Sequence, residues 1–487
     1  MKICIVAEGC YPYVVGGVSS WIHNIITSFP EHRFIILAIV SDRSKRGQFV
    51  YDLPDNVEQV QELYLNDVDW AYPNKSEKVE RSDRASHQRL SKKECEALLS
   101  LILDNDPQWD VLFKLFNKPT LSIDKLLMGK DFLYAVKESY RQNHSDVVFS
   151  NYLWTMRSIY LPLFITLKFR VPDADLYHCV ATGYAGILGS KARFLHGCKL
   201  LISEHGIYTR EREEEMVKAK WVQGIYKNIW IDQFKKMSFL AYERADLITS
   251  LYEHARELQI ELGAPVSKLK ITPNGIREAN FADIPGKTKE DKDYCNIGAV
   301  LRVAPIKDVK TLIRAFYYAK QREKSLRLYI MGSYDEEPEY AQECFDMVDS
   351  LGVKDVFFTG RVNVREYLGR MDCTILTSIS EGQPLTILEG FAAHKPCIAT
   401  DVGNCRGLIF GEGDDFGQAG ILTHIMNIEE LSNAMVEMAQ NEVKRERMGN
   451  AGYNRLMSKY KNDQMIKTYR EIYDGFELGG PIEEELA

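Results

Sequence analysis

Apolar residues recur along this chain in two alternating patterns: short continuous runs, and longer stretches in which they return every third or fourth position. KICIVAEG reads as a buried strand, YPYVVGG as a loop, and VSSWIHNIITSF as a helix with Val18, Trp21, Ile22, Ile25, Ile26 and Phe29 on one face. FIILAIV supplies the next strand. From 60 to about 150 the rhythm breaks into charged sequence rich in Trp, Tyr and Leu, with helical stretches such as KKECEALLSLIL and KDFLYAVKESYRQ, which predicts a helical insertion. Alternation resumes with the strand DLYHCVA, the helix AGILGSKARFLHG, the strand KLLISEHG, helical sequence to about 244 and the strand DLITSLY. A first domain over 1–280 closes after PNGI, and the polar stretch ADIPGKTKEDKD reads as a linker. Strands NIGAVLR, LRLYIMG, DVFFTG, TILTS and PCIATDV then alternate with helices, which predicts a second doubly wound parallel sheet over 290–455. A last helical pattern in 456–487 puts Met465, Ile466, Tyr469, Ile472, Tyr473 and Phe476 on one face, suited to crossing back to the first domain.

Composition narrows the class. A chain of 487 residues exceeds one hydrophobic core, so α/β with two Rossmann-like domains is the expected architecture. Ten cysteines lie scattered, without a C-x-x-C pair, which suggests neither a disulfide framework nor a zinc site and points to reduced thiols in the cytoplasm. The first apolar run is too short for a signal sequence, and no stretch approaches the ~20 apolar residues of a membrane span. A net charge of −8 argues against a nucleic-acid partner, so any anionic ligand must be held locally.

The densest chemical signal is TILTSISEGQPLTILEGFAAHKPCIATDV. It reads as strand, polar turn, a helix with Pro384 in its first turn, and strand, so Glu381 falls in the turn and Glu389 inside the helix. At the carboxyl edge of a parallel sheet two such carboxylates can accept bonds from different hydroxyl pairs of one polyhydroxy ligand, a sugar and a ribose. Glutamates at this spacing commonly share a solvated face; Glu389 departs from that because it sits among LTILEGFAA, where a bare carboxylate needs a partner. LRVAPIKDVKTLIRAF places Arg302 and Lys307 between a strand and a helix, where two cations suit a diphosphate. Gly16 and Gly17, between the first strand and its helix, leave backbone N–H groups open to an anion or form an ordinary tight turn. His205 ends a strand. D-x-D pairs at Asp67/Asp69, Asp104/Asp106, Asp173/Asp175 and Asp291/Asp293 are no more than an acidic chain gives by chance, and the expectation is no metal.

Taken together, GGVSSW, ITPNGI, LR followed by Lys307, and SISEGQPLTILEG resemble the retaining GT-B-fold glycosyltransferases of family 4, over nearly the whole chain. EGCYPYVVGGVSSWIHNII, YHCVATGYAGILG and SEHGIYTRERE, with the helical insertion, are similar to the PelF-type branch that serves Pel exopolysaccharide synthesis. The resemblance implies a UDP-sugar donor, a growing polysaccharide acceptor, no cofactor or metal, and a cytoplasmic protein recruited to inner-membrane Pel synthase and export proteins through the insertion. It gives Arg302 and Lys307 to the diphosphate with Gly16 and Gly17 beside it. Glu389 goes to the ribose, Arg361 and Val362 to the base, and Gly382, Gln383, Leu385 and Thr386 to the nucleotide-sugar. Glu381 and His205 fall at the transferred sugar. Retention would follow from front-face displacement, with a covalent route through Glu381 left open. Asp308 departs from the family, which often has glycine there. Glucan synthesis, epimerisation and a non-catalytic UDP-sugar scaffold stay as alternatives; a bacterial starch-type synthase would carry lysine where Val15 stands, and the glycine fingerprint of a nicotinamide enzyme is missing.

Overall fold

The computed structural model describes residues 1–41, 43–66, 89–103 and 106–478. They fall into two compact units: one of Met1–Ser250, Arg256–Lys270 and the chain from Asp474 onward, the other of Leu251–Ala255 and Ile271–Tyr473.

In the first unit the strands are β1 (Lys2–Glu8), β2 (Arg33–Val40), β3 (Val57–Tyr64), β4 (Leu176–Cys179), β5 (Lys199–Ser203), β6 (Leu247–Ser250) and β7 (Leu269–Ile271), in the order β3-β2-β1-β4-β5-β6-β7. β1 runs parallel to both neighbours, Ile5 facing Ile36 on one side and His178 on the other. It is covered on both faces, hence the unbroken apolar run. Helix α1 (Gly17–Ser28) follows β1 and turns Trp21, Ile22, Ile25 and Ile26 inward. Among the described residues, five helices then come before β4: α2 (Lys92–Leu103), α3 (Trp109–Phe116), α4 (Ile123–Leu127), α5 (Lys130–Asn143) and α6 (Phe149–Lys168). After β4 come α7 (Tyr184–His196), α8 (Tyr208–Lys218), α9 (Ile225–Arg244) and α10 (Glu253–Glu261).

The expected insertion at 60–150 needs correcting at both ends. Its first residues belong to β3, an edge strand whose half-exposed VEQVQELY lacks the apolar run of a central strand. The helices continue through α6 to Lys168. Residues 67–88 of that region lie outside the described residues. Nor is the helical part an appendage: Leu98, Leu112, Phe113, Phe116, Phe132, Ile159 and Phe164 share one core with Cys179, Leu200 and Ile202 of the sheet. Burying an aromatic or leucine side chain contributes roughly 1.5–3 kcal/mol, so these helices hold the domain together.

The second unit repeats the winding with β8 (Cys295–Val300), β9 (Leu326–Met331), β10 (Val356–Gly360), β11 (Cys373–Leu376), β12 (Cys397–Thr400) and β13 (Gly420–Thr423), in the order β10-β9-β8-β11-β12-β13 and parallel. The helices are α11 (Val309–Arg322), α12 (Pro338–Leu351), α13 (Val364–Leu368), α14 (Leu385–Ala392), α15 (Cys405–Phe410), α16 (Ile428–Gln440), α17 (Glu442–Lys459) and α18 (Asn462–Leu478). The unit begins at 271, not near 280, and the stretch read as a linker lies inside it. Asp291 is buried and accepts from Arg370 Nε at 2.9 Å and Arg327 Nη1 at 3.3 Å. Lys287 Nζ reaches Asp372 at 2.6 Å. Burial pushes the Asp291 carboxyl up, but the bonds from Arg370 and Thr288 outweigh it and hold the group at about 2.

Candidate active site

Each sheet reverses its strand order once, between β1 and β4 in the first unit and between β8 and β11 in the second, and open α/β sheets bind ligands at the carboxyl ends of the strands there. In the second unit the turn after β8 carries Arg302 and Lys307, and the loop after β11 carries Glu381, Gly382 and Gln383. Four hydrogen bonds lock these segments. Thr377 Oγ1 donates to Lys307 O at 2.9 Å, Ile379 N to Ile306 O at 2.9 Å, Thr400 Oγ1 to Ser378 O at 2.7 Å and Asn404 N to Gly382 O at 2.8 Å. Gly403 completes the lock: at φ +52° any Cβ would stand 2.2–2.3 Å from the carbonyl oxygens of Glu381 and Gly382. On this frame Lys307 Nζ and Ser378 Oγ both donate to Glu381 Oε1, at 2.5 and 2.6 Å. The two residues expected at diphosphate and sugar are thus in contact.

Asp308 holds a backbone conformation that favours glycine, the residue the resemblance leads one to expect there. Its backbone is left-handed (φ 47°, ψ 49°), where most L residues are strained by roughly 1–2 kcal/mol. The aspartate side chain recovers part of this by accepting from Thr311 N at the start of α11.

Arg302 and Arg361 are exposed, and both meet a carboxylate the sequence reading passed over: Glu336, 2.6 Å from Arg302 and 3.6 Å from Arg361. In SYDEEPEY it reads as one acid among several, with nothing to single it out. Val362 packs half-buried beside Met331 and Met371. The Gln383 side chain also meets the protein itself. It is buried, accepts from Asn274 N at 2.7 Å, and so braces the chain's own PNG turn. Pro384 caps α14 with extended backbone and is not its first turn; Leu385 and Thr386 fill that turn, where N–H groups have no carbonyl four residues back. Glu389, one turn on, has no hydrogen-bond or ion partner for its carboxylate among the described residues, and burial pushes the carboxyl up to about 7.

The first unit places Gly16, Gly17 and His205 at the carboxyl ends of β1 and β5. Gly16 caps α1 in extended backbone, and a Cβ there would meet nothing, so no protein atom requires the glycine. His205 sits edge-on to Trp21, ring centroids 4.4 Å apart. Trp21 lies on the helix that Gly17 begins, so the glycine turn and the histidine are linked through one indole. Burial pushes the His205 imidazole down to about 4 and leaves its Nε2 without a partner, a neutral ring with one nitrogen unused. Sequence reasoning missed Glu8, which ends β1, accepts from Ala185 N at 3.2 Å and Tyr208 OH at 3.1 Å, and is raised by burial.

Of the D-x-D pairs, Asp175 accepts from Lys2 N at the amino end of the sheet, and Asp291 is the buried anchor described above. Asp67, Asp69 and Asp104 lie outside the described residues. Among the described residues no group of three His, Cys, Asp or Glu is placed to hold a metal ion, and no helix is long and apolar enough to cross a membrane.

Comparison with known proteins matches residues 1–267 to the model of a domain of unknown function, DUF3492, and residues 280–455 to glycosyl transferases group 1. The N-acetyl-alpha-D-glucosaminyl L-malate synthase of Bacillus anthracis is 25% identical over 242 residues, 47% of this chain and 60% of that protein's length. The MMP alpha-(1->4)-mannosyltransferase of Mycolicibacterium hassiacum is 22% identical over 314 residues, 63% of this chain and 71% of its own. Among solved structures, Anabaena Alr3699/HepE in complex with UDP and glucose superposes with a TM-score of 0.59 at 15% identity, covering 97% of this chain and 99% of that one. The two parallel-sheet, Rossmann-like units fit the GT-B fold.

Proposed function

The chain belongs to the family of the domain of unknown function DUF3492, and from the group 1 glycosyl transferase match behind that region we propose a glycosyltransferase that moves a hexose or N-acetylhexosamine from a UDP-sugar to a growing polysaccharide, with retention. The observation that carries this reading is the joined pair Lys307–Glu381, a cation for a leaving diphosphate and a carboxylate for the transferred sugar, on loops bonded to each other at the switch point. Arg302 and Arg361 extend the positive edge, the first-turn N–H groups of α14 face the donor's phosphates, and Glu389 takes the ribose hydroxyls. Neutral His205 has a ring nitrogen left for a sugar hydroxyl. A donor phosphate oxygen takes the acceptor proton as the glycosidic bond breaks, so the protein acts by positioning and by stabilising leaving-group charge, without a metal. The acceptor is a Pel-like exopolysaccharide, handed to an exporter at the inner membrane. Binding and turnover of UDP-glucose, UDP-N-acetylglucosamine and UDP-N-acetylgalactosamine in excess EDTA test this: one donor should be turned over. Binding of none, or activity that returns only with added magnesium or manganese, refutes the respective part.

Lys307→Ala should weaken UDP by roughly 1.5–3 kcal/mol, the range for hydrogen bonds to charged groups, and leave uridine almost unaffected. Calorimetry with both ligands decides, and equal losses would remove Lys307 from the diphosphate.

Glu389 predicts a pH effect with a fixed sign. Ribose hydroxyls donate to a carboxylate, so uridine favours the ionised form, while the free protein holds the group protonated below about 7. Uridine affinity should therefore rise between pH 6 and pH 8, and Glu389→Gln should flatten the profile. A wild-type profile that is already flat separates Glu389 from the ribose.

A further inference from the structure

At the carboxyl edge of the second sheet the two sides of the strand-order reversal differ. On the β12 side protein closes the edge: the turn after β12 lies on the 381–383 loop, with Asn404 N bonded to Gly382 O at 2.8 Å and no room for a Cβ on Gly403. On the β8–β9–β10 side Arg302 and Arg361 are exposed, and an aromatic ring stands on the strand between theirs. It is Tyr334, in the turn after β9, with 36% of its surface exposed.

That ring is held in place. Val303 N donates to Ser333 O and Gly332 N to Gly360 O, both at 2.9 Å, so the turn carrying Tyr334 is bonded to the chain on either side of it. The Tyr334 ring meets Phe345 of α12 edge-on at 5.6 Å, and Phe345 meets Phe358 of β10 edge-on at 4.7 Å, one connected row of aromatic contacts. Gly360 lies beside the ring: a Cβ there would stand 3.6 Å from Tyr334 Cε1 and 3.7 Å from its hydroxyl oxygen, so the glycine leaves a contact position on the ring unfilled. Neighbouring strands are about 4.8 Å apart, and β9 is two strands from β11. From the 381–383 loop to Tyr334 the edge therefore runs roughly 10 Å, the scale on which a nucleotide separates its phosphates from its base.

We infer that the base of the donor nucleotide stacks on Tyr334 while its diphosphate meets Lys307. This rests on the reading of the edge as a UDP-sugar site and adds the residue that holds the nucleoside. Stacking uses the face of a base, which every base has, so Tyr334 sets how tightly the nucleoside is held and leaves its identity to other groups. The test is calorimetric titration of the full chain with UDP, uridine and pyrophosphate. Tyr334→Ala should weaken uridine and UDP by the same factor, about tenfold, and leave pyrophosphate unchanged. Tyr334→Phe keeps the ring and should bind UDP within about twofold of wild type. Tyr334→Leu keeps an apolar contact for Phe345 without an aromatic face; it should match Tyr334→Ala, and it carries the test if the alanine variant does not fold. UDP bound by the wild type and undiminished in both Tyr334→Ala and Tyr334→Leu would overturn the inference alone. So would a loss in Tyr334→Phe equal to that in Tyr334→Ala, or pyrophosphate weakened as much as UDP, the mark of a displaced turn. A wild type that binds no UDP would overturn the inference and the reading of the site together.

Discussion

Glu381→Gln is expected to lower turnover about 10²–10³-fold while the dissociation constant for UDP stays within about threefold. The amide keeps the shape of the carboxylate, and the backbone bonds that fix the loop, from Asn404 N and to Ile306 O, do not involve the side chain. What is lost is charge. Glu381 holds Lys307 Nζ at 2.5 Å and faces the position proposed for the sugar, where positive character develops as the glycosidic bond breaks. UDP lacks the transferred sugar and does not sense that loss, and Lys307, released from its partner, meets the diphosphate at least as well. Steady-state kinetics should show kcat and kcat/KM falling together, with calorimetry reporting UDP. Weakened UDP binding with preserved turnover would exchange the roles proposed for Glu381 and Glu389.

The largest stability effect is expected at Asp414. Arg455, on α17, is wholly buried and all its nitrogens are engaged: Nε and Nη2 with Asp414 at 3.0 and 2.8 Å, Nη1 with the carbonyls of Leu408 and Ile409, and Nη2 also with Gly417 O. Asp414→Ala leaves a guanidinium without a counter-charge, with Lys459 Nζ close to the vacated carboxylate, and should cost about 3–5 kcal/mol. For a unit of this size that is a fall of roughly 6–20 °C in its melting temperature. The bonds from Arg455 hold the Asp414 carboxyl below the usual carboxylate range, so its stabilisation is present above the unfolded pKa, near 4, and disappears as pH falls through the folded value. Wild type and variant should therefore converge in acid. A melting temperature lowered by less than about 2 °C at neutral pH would show that solvent or a rearranged neighbour neutralises Arg455.

Much of the fold was legible because central strands of doubly covered sheets are continuous apolar runs, as in β1, β2 and β8. Lys307 and Glu381 stood out for a related reason: each follows such a run, so its place at a strand end could be counted off. Where pattern misled, the cause was pairing at a distance. Asp291 and Arg370 lie 79 positions apart, and until the fold joins them their segments look like solvated linker and surface helix. β3 alternates weakly because one edge faces water. The bond between Gln383 and Asn274 N was not legible either, because what a loop side chain meets depends on what the fold brings behind it.

Glu336 gives the edge proposed for the nucleotide a tethered competitor. Two bare guanidiniums at an exposed sheet edge would collect whatever small anions the solvent offers. With a carboxylate fixed by its own loop beside both, an incoming anion faces a rival present at high effective concentration, and one contact is too little to displace it. Chloride or inorganic phosphate brings only that contact. A ligand that also engages Lys307 and the start of α14 brings several at once and exchanges with Glu336 at little net change in charge, so discrimination begins with what the empty site already holds.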